Sequence, residues 1–349
     1  MRSSRACREC CGRPLTANLD TCSGIHWVYR QADVLAVAAG KPPLPALDGG
    51  FPALIADNGA PWAPGAAPPP ALDLASLRPE FLQPVANPFY SYLPGELSPY
   101  GHEALLLLRS LVKEGRLDAA AYAADSAAVL AAYPAAGGRL NGLSKSFLTR
   151  YVDEGKRPPS CGVPDNSQGH SLVRTPVLVA RFGAGSARVE EAMRVHQDND
   201  TAVACGVAFA RILERAVATG DAVPALLSWA AAADEVPAEA RPAVAAAIAA
   251  AGRDLRAVGN EFGLGCSLPG ALTVALAVAA AHGDDFVAAQ RANMLVGGDS
   301  ASRAAVVGAL AAARAAAVPD AWLDRVTLRD ELRAAAAALD AARQAEATH

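Results

Sequence analysis

Residues 297–326 read GGDSASRAAVVGALAAARAAAVPDAWLDRV, a glycine pair and an acidic residue followed by a long run of small residues. Two glycines supply the backbone freedom of a tight turn, and the small residues that follow have high helix propensity. Asp299 therefore falls at the start of a helix that we predict over 300–316. There its carboxylate and the nearby Ser302 hydroxyl either offer oxygen ligands to a hard cation or belong to an ordinary capped helix start.

The same small-residue character extends through most of the chain. Alanine makes up about a quarter of the residues and aromatic residues only 5%, which favours helices over strands. Short glycine, proline or aspartate breaks separate one apolar segment from the next. We predict helices at 102–114, 117–133, 143–153, 170–183, 186–196, 199–218, 222–233, 237–257, 269–281, 284–296, 300–316, 319–326 and 327–346. No repeat of fixed length recurs, so these helices indicate one all-α, multi-helix globular domain rather than a solenoid.

Composition divides the chain into parts. Residues 1–21 form an irregular lead-in rich in cysteine and arginine, and residues 331–349 form a helical tail. The helical domain between them, 22–330, contains a proline-rich insertion at about 41–88. Residues 41–100 hold 14 of the 25 prolines, and because proline ends helices we expect a long loop there.

Charge and hydropathy narrow the range of partners. The formal net charge is −4 and charged residues make up 19% of the chain, so we expect neither nucleic acid nor a membrane surface as a partner. The longest uncharged stretch, 262–281, is broken early by glycine and proline, which favours a buried core helix over a transmembrane one. Seven cysteines, an odd number, favour a reducing compartment, and we predict the cytoplasm. Four arginines among the first thirteen residues keep an organellar transit peptide as the alternative.

A small zinc site is one hypothesis for the N-terminal cysteines. Cys7, Cys10, Cys22 and His26 have the side-chain types and the short pair spacing of zinc ligands. The alternative is a cysteine-rich tail that holds no metal.

Several stretches, in the same order, resemble the ADP-ribosylglycohydrolase family, which includes the J-type lens crystallins. The stretch 297–326 is similar to the family's C-terminal signature, in which a GGDTDT-like turn precedes a small-residue helix and an I-P-x-x-W-L element, here 318–323. Residues 25–29, IHWVY, resemble the family's P-V-H-W-Y-Y segment, and residues 195–198, VHQD, resemble its T-H-x-D turn. Two further stretches fit, 101–111 and 169–182. The resemblance covers most of residues 22–326.

The resemblance implies an all-α fold with a binuclear magnesium site that helps to cleave the N- or O-glycosidic bond of ADP-ribose. In active members the carboxylates come from a T-D-D-T segment before the first long helix and from a C-terminal D-T-D-T. Here residues 98–101, SPYG, stand at the first motif, and Ala301 and Ser302 replace the later Asp and Thr of the second. Asp299 alone remains of four expected carboxylates, so Asp299 and Ser302 are the candidate ligands of a weakened Mg²⁺ site.

Two functions follow from this altered motif, which is most similar to the crystallin-like branch. The first is a glycohydrolase with a rebuilt or mononuclear metal site. The second is a non-catalytic family member that binds a nucleotide-like ligand or has a structural role. The resemblance assigns ADP-ribose, or an ADP-ribosylated substrate, as the partner.

Further residues complete the candidate ligand site: Gly297, Gly298, Arg303, His196, Asp198 and Asp165. Arg303 is a fixed cation that either binds a phosphate or carboxylate directly or pairs with Asp299. Other polar groups able to rebuild a site are Glu96, His102, Glu103, Gln168 and His170. For His102 and Glu103 the alternative is a solvated first turn of a helix.

Overall fold

The described residues of the computed structural model are 26–29, 31–38, 95–136, 140–314 and 318–347. Every regular element in these ranges is a helix, and the isolated β-bridges there pair Val28 with Gly298 and Gln168 with Ser267. The prediction of an all-α domain is confirmed. The cysteine-rich lead-in and the proline-rich insertion lie outside the described residues.

The helices are α1 Gln31–Ala38, α2 Pro99–Glu114, α3 Ala119–Ala132, α4 Gly142–Leu148, α5 His170–Phe182, α6 Ala187–Arg194, α7 Asp200–Thr219, α8 Val223–Ala232, α9 Arg241–Ala249, α10 Leu255–Phe262, α11 Gly270–His282, α12 Phe286–Val296, α13 Ser300–Arg314, α14 Asp320–Leu323 and α15 Arg329–Ala347. A 3₁₀ turn, Tyr133–Ala136, continues α3, and a π-helical turn, Thr149–Asp153, continues α4.

Two buried helices, α5 and α13, form the centre of the domain. α13 is buried from Ser300 to Ala313, and α5 from His170 to Arg181. α13 packs against α5, α7, α11 and α12, while α5 also packs against α2 and α7. The alanines of α13 allow close approach of the surrounding helices, because interaxial distance depends on side-chain size at the contact. Polar residues at the N-termini of α5 and α13 are thereby enclosed within the protein.

The start of α2 is set by Ser98. Its Oγ accepts hydrogen bonds from the backbone N–H groups of Tyr100 and Gly101, at 3.1 and 3.3 Å. Pro99 occupies the first helical turn, where a missing N–H costs nothing. The helix therefore begins at Pro99 rather than at the predicted residue 102, and it includes Tyr100 and Gly101.

Other boundaries also differ from the sequence prediction. The predicted helix 237–257 is two helices, α9 and α10, because the chain turns at Gly252 and restarts at Asp254. The carboxylate of Asp254 accepts from the N–H groups of Arg256 and Ala257 and caps α10. α1, which was not predicted, is held in place by the Gln31 side chain, which donates to backbone carbonyls of Arg256 and Val296.

The C-terminal helix α15 packs against α2 and α5 and buries Leu332 and Leu339. None of the helices in the described ranges combines the length and apolar character that crossing a bilayer requires.

Candidate ligand site at Asp299

The Gly297-Gly298 turn depends on close backbone approach. Both glycines have positive φ angles, 86° and 67°, which disfavour other residues. A Cβ on Gly298 would stand 2.1 Å from the carbonyl oxygen of Leu264. On the other side, the N–H of Gly298 donates to Val28 at 2.7 Å, and its carbonyl accepts from Trp27 at 2.9 Å. The turn is thus fixed between two segments that are remote in sequence.

Asp299 follows this turn and has only 1% of its surface exposed. Its Oδ1 accepts from the backbone N–H of Ser302 at 3.2 Å, so it caps α13. Its Oδ2 accepts from the hydroxyl of Tyr100 at 2.8 Å. Burial and the negative charge of Asp299 raise the pKa of Tyr100 well above its ordinary value, which keeps the hydroxyl a donor. Both carboxylate oxygens therefore accept hydrogen bonds from the protein.

Arg303 supports the turn from within α13. Its side chain is fully buried and donates to Asn293 Oδ1 at 3.1 Å and to the carbonyls of Leu264 and Gly297. Burial lowers its pKa to about 10, while the Coulombic attraction of Asp299 opposes that shift. No direct hydrogen bond or ion pair joins the two within the described residues. The geometry therefore differs from direct pairing with Asp299, and a ligand contact of Arg303 stays a prediction.

Cys266 and Tyr29 lie near Asp299, and His26 contacts the neighbouring Ser300. Cys266 lies beside Asp299 and Tyr100, and burial together with the Asp299 charge raises the pKa of its thiol to about 12. Burial, and to a smaller extent the negative charge of Asp299, also raises the pKa of Tyr29 far above its usual range. His26 Nδ1 lies 2.6 Å from Ser300 Oγ and is thus engaged at the start of α13. The other three zinc-ligand candidates, Cys7, Cys10 and Cys22, lie outside the described residues.

A second buried polar cluster centres on Glu103, whose exposure is 4%. Its Oε2 accepts from Arg174 at 2.8 Å and from His170 Nδ1 at 2.9 Å. Its Oε1 accepts from Asn141 at 2.8 Å and from Ser144 at 3.3 Å. Although burial alone raises a carboxyl pKa, His170 and Arg174 lower that of Glu103 far below its ordinary value. The alternative of a solvated first helical turn is therefore wrong for Glu103.

The two clusters adjoin through aromatic and backbone contacts. The rings of Tyr100 and His170 lie 5.0 Å apart between their centroids. At the start of α5, a Cβ on Gly169 would stand 3.3 Å from Ser302 Cβ, so the N-termini of α5 and α13 meet directly. Seven of the predicted residues thus belong to one polar interior: Glu103, His170, Gly297, Gly298, Asp299, Ser302 and Arg303.

The remaining predicted ligand residues are placed elsewhere. Asp165 is exposed, and the half-buried Asp198 pairs with Arg194 at 2.6 Å. His196 is buried against the rings of Tyr122 and Phe147. None of the described hydrogen bonds or ion pairs links Asp165, Asp198 or His196 to Asp299.

The predicted polar groups at the edge of the site are partly exposed. Glu96 and His102 are half-buried, and the His102 ring packs edge-on against Tyr133 at 5.4 Å. The Oε1 atom of Gln168 accepts a hydrogen bond from the Asn166 side chain and lies 3.2 Å from His170 Nε2.

Several important residues were not identified from the sequence as site residues. The sequence marks Tyr100 only as a residue at the position of a family aspartate. Arg174 lies within the apolar stretch LVRTPVLV of α5. A charged residue in such a stretch indicates a buried side chain that is paired with an opposite charge. Gln197 holds the loop before α5 by donating to Asn166 and Gln168 carbonyls at 2.9 and 2.7 Å. No local pattern marks that role.

A binuclear magnesium centre needs a particular set of oxygen ligands. Mg²⁺ prefers near-octahedral oxygen coordination, and two adjacent ions need several carboxylates to balance their charge. In the part of the chain that the structure describes, no three His, Cys, Asp or Glu side chains are grouped closely enough to hold a metal ion. Asp299 is instead bonded to a phenol and lies in the field of a buried guanidinium. These residues do not fit a binuclear magnesium site.

Comparisons with known proteins agree with this architecture. A solved structure described as an "ADP-ribosylglycohydrolase-related protein complex" is similar with a TM-score of 0.64 and 21% identity, covering 97% of this chain and 99% of that chain. At this identity the likeness establishes the fold, a multi-helix α domain of that type. The sequence profile of the ADP-ribosylglycohydrolase family matches residues 59–348, and the chain belongs to this family. The comparison with curated protein sequences gave no significant match.

Proposed function

We propose that this protein binds an ADP-ribosyl ligand without the two-metal hydrolysis that the family resemblance implies. Family membership supports the ligand class. The observation that carries the proposal is the state of Asp299, because both of its carboxylate oxygens already accept from protein donors, the Tyr100 hydroxyl and the Ser302 N–H. The altered motif, with Ser302 and Arg303 after Asp299, also looks more like the crystallin-like branch than the hydrolase branch.

The side chain of Tyr100 supports the absence of a metal ion at Asp299. Tyr100 stands where the family resemblance places a metal-binding aspartate, and its hydroxyl donates to Oδ2 of Asp299. A phenol held neutral by burial is a poor Mg²⁺ ligand, since hard cations prefer carboxylate and carbonyl oxygens. We infer that this hydrogen bond joins α2 to α13 in place of the metal ions that the family resemblance implies.

A second candidate function is hydrolysis with a rebuilt mononuclear Mg²⁺ site. The observation that favours it is the adjacency of Asp299 and Ser302, since the Ser302 Oγ lies 3.4 Å from the Asp299 carbonyl oxygen. Here Asp299 and Ser302 are the proposed ligands. This function requires Asp299 to exchange its bond to Tyr100 for a cation.

Calorimetry with ADP-ribose, in EDTA and in excess Mg²⁺, separates the two functions when combined with an assay for release of ADP-ribose from N- and O-linked conjugates. We expect the same affinity under both conditions and no release. Mg²⁺-dependent release that EDTA abolishes contradicts the proposal and supports the rebuilt site. If ADP-ribose does not bind under either condition, a structural role replaces both.

The variant Asp299→Asn sharpens this experiment. Asn caps helices about as well as Asp, and its Oδ1 and Nδ2 keep the size of the carboxylate. We expect Asp299→Asn to retain ADP-ribose affinity within a few-fold if Asp299 is structural. Loss of an Mg²⁺-dependent activity in this variant, with unfolding unchanged, assigns Asp299 as a metal ligand instead.

A further inference from the structure

Two described stretches, residues 26–29 and the helix α1, dock onto the domain far from their place in the sequence. We name them together the N-terminal segment. In sequence, residues 39–94 separate this segment from the next described stretch, 95–136. The contacts that position the segment are therefore made with residues that are remote in the chain.

Hydrogen bonds hold the N-terminal segment at both of its stretches. Residues 26–28 bond to the Gly-Gly turn and to the start of α13. On α1, the Gln31 side chain donates to the carbonyls of Arg256 and Val296, at 3.0 and 2.9 Å, and accepts from Asn260 at 3.2 Å. Gln31 thus anchors α1 between α10 and α12.

Apolar contacts add to this docking. Val28 and Val34 pack in a small cluster with Met294 and Leu295 of α12. These gains have to offset the conformational entropy of ordering the segment, and a helix as short as α1 is unstable in water by itself. By contrast, α13 is buried from Ser300 to Ala313. The segment is therefore held less firmly than the centre of the domain.

The backbone of Trp27 adds a cost to the docked state. Its φ is 63°, and among the described residues it is the one residue other than glycine with a positive φ. Bulky side chains rarely occupy this left-handed region, because the Cβ crowds the neighbouring backbone. Such strain persists only where surrounding contacts enforce it, here the hydrogen bonds between residues 27–28 and Gly298. Undocking of the segment releases this strain.

The N-terminal segment packs beside the buried polar site. Trp27 belongs to one buried cluster with Tyr100 and Ala301, next to the hydrogen bond between Tyr100 and Asp299. In this arrangement Tyr100 is 6% exposed and Asp299 is 1% exposed. A molecule in solution therefore reaches the Asp299 carboxylate only after some part of its surroundings moves.

We propose that the N-terminal segment undocks as one unit while the rest of the domain stays folded, and that undocking exposes Tyr100 and Asp299 to solvent. Access to Asp299 is then controlled by the docking equilibrium. This inference stands apart from the proposed function, because docking is measured without ADP-ribose and without a metal.

Hydrogen exchange of the full chain at neutral pH, followed by mass spectrometry, tests the proposal. After correction for intrinsic rates, the amides of residues 26–38 are expected to be protected, but at least about 100-fold less than those of Val306 and Val307 within α13, since local opening precedes global unfolding. A peptide that contains Gly298 is expected to share this behaviour at one amide, because the Gly298 N–H donates to Val28.

The variant Gln31→Ala removes the anchor of α1. It is expected to speed exchange in residues 26–38 about tenfold, the effect of losing a buried hydrogen-bonding side chain, and to leave Val306 and Val307 unchanged. Gln344→Ala, the same substitution at an exposed position of α15, is the matched control and is expected to change neither rate.

Three results contradict the proposal. Protection of residues 26–38 equal to that of α13 shows that the segment opens only when the whole domain unfolds. A complete lack of protection shows that the segment does not dock. If Gln31→Ala speeds exchange in the segment and in α13 by the same factor, the anchor contributes to global stability alone.

Discussion

The hydroxyl of Tyr100 donates a 2.8 Å hydrogen bond to Oδ2 of Asp299, across 199 residues of sequence. It joins the first turn of α2 to the start of α13, so it connects two helices through a buried phenol and a buried carboxylate. Whether this bond is structural can be measured directly.

Tyr100→Phe keeps the ring and removes the hydroxyl. The free energy of unfolding is expected to fall by about 1–3 kcal/mol, because a buried carboxylate oxygen loses its donor. Denaturant unfolding followed by circular dichroism measures the change. Tyr151→Phe, on a half-buried ring that stacks on Phe147, is the control and is expected to change stability by less than about 0.5 kcal/mol. Equal effects in the two variants would contradict a structural role for the Tyr100 hydroxyl.

Gly298→Ala tests the Gly-Gly turn. The substitution combines a positive φ of 67° with a Cβ only 2.1 Å from the Leu264 carbonyl oxygen, and neither strain relaxes without moving backbone. Gly252→Ala is the matched control, since Gly252 has φ 77° but no atom within 4 Å of the added Cβ. The control is expected to cost about 1–2 kcal/mol for the left-handed backbone alone. Gly298→Ala is expected to cost clearly more in the same unfolding measurement, and a smaller loss than the control would refute the close approach.

Glu103→Gln removes one charge from the second cluster while keeping its shape. Arg174 then loses its buried carboxylate, and breaking a buried pair in this way costs about 3–5 kcal/mol. Glu331→Gln breaks the partly exposed pair with Arg109, for which a loss below about 1 kcal/mol is expected. Urea unfolding of both variants at neutral pH measures the difference. Comparable losses would show that Glu103 is solvated in solution.

The buried His196 predicts a pH dependence of stability. Its pKa is depressed well below 6.5 by burial and by Arg174 and His170, against the opposing attraction of Glu103. The unfolded chain therefore takes up the proton first, and stability falls as pH decreases from about 6.5 toward the lower folded-state pKa. Above that range the contribution of His196 is constant. Urea unfolding between pH 7.5 and 5.0 is expected to show a shallower acid loss for His196→Gln, with a difference of at most about 1.4 kcal/mol per pH unit. Parallel profiles for the two proteins would rule this out.

Much of the fold is encoded locally and was predictable. Alanine-rich segments with short breaks predicted the helices, and the glycine pair followed by Asp299 predicted both the turn and the cap of α13. The same residues carry the resemblance to the family that the sequence profile confirms. The local pattern did not predict the turn between α9 and α10, because Gly252 stands among residues of high helix propensity.

The candidate site was less predictable because its contacts are not local. Glu103 lies near the start of a helix, where the local pattern predicts a solvent-exposed acid. Its burial as a carboxylate depends on Arg174 and His170, which lie on another helix. Tyr100 gave no signal except that it stands at a family aspartate position. His196 and Asp198 are neighbours in sequence, but one is buried between aromatic rings and the other pairs at the surface.

The contact between residues 26–29 and the Gly-Gly turn has a consequence for synthesis on the ribosome. His26 and Ser300, which meet at 2.6 Å, are 274 residues apart. At translation rates of about 5–20 residues per second, Ser300 is synthesised many seconds after His26. During that interval Val28 and Val34, whose neighbours Met294 and Leu295 are not yet made, remain available to chaperones. The surroundings of Asp299 are thus assembled near the end of translation, when α13 emerges.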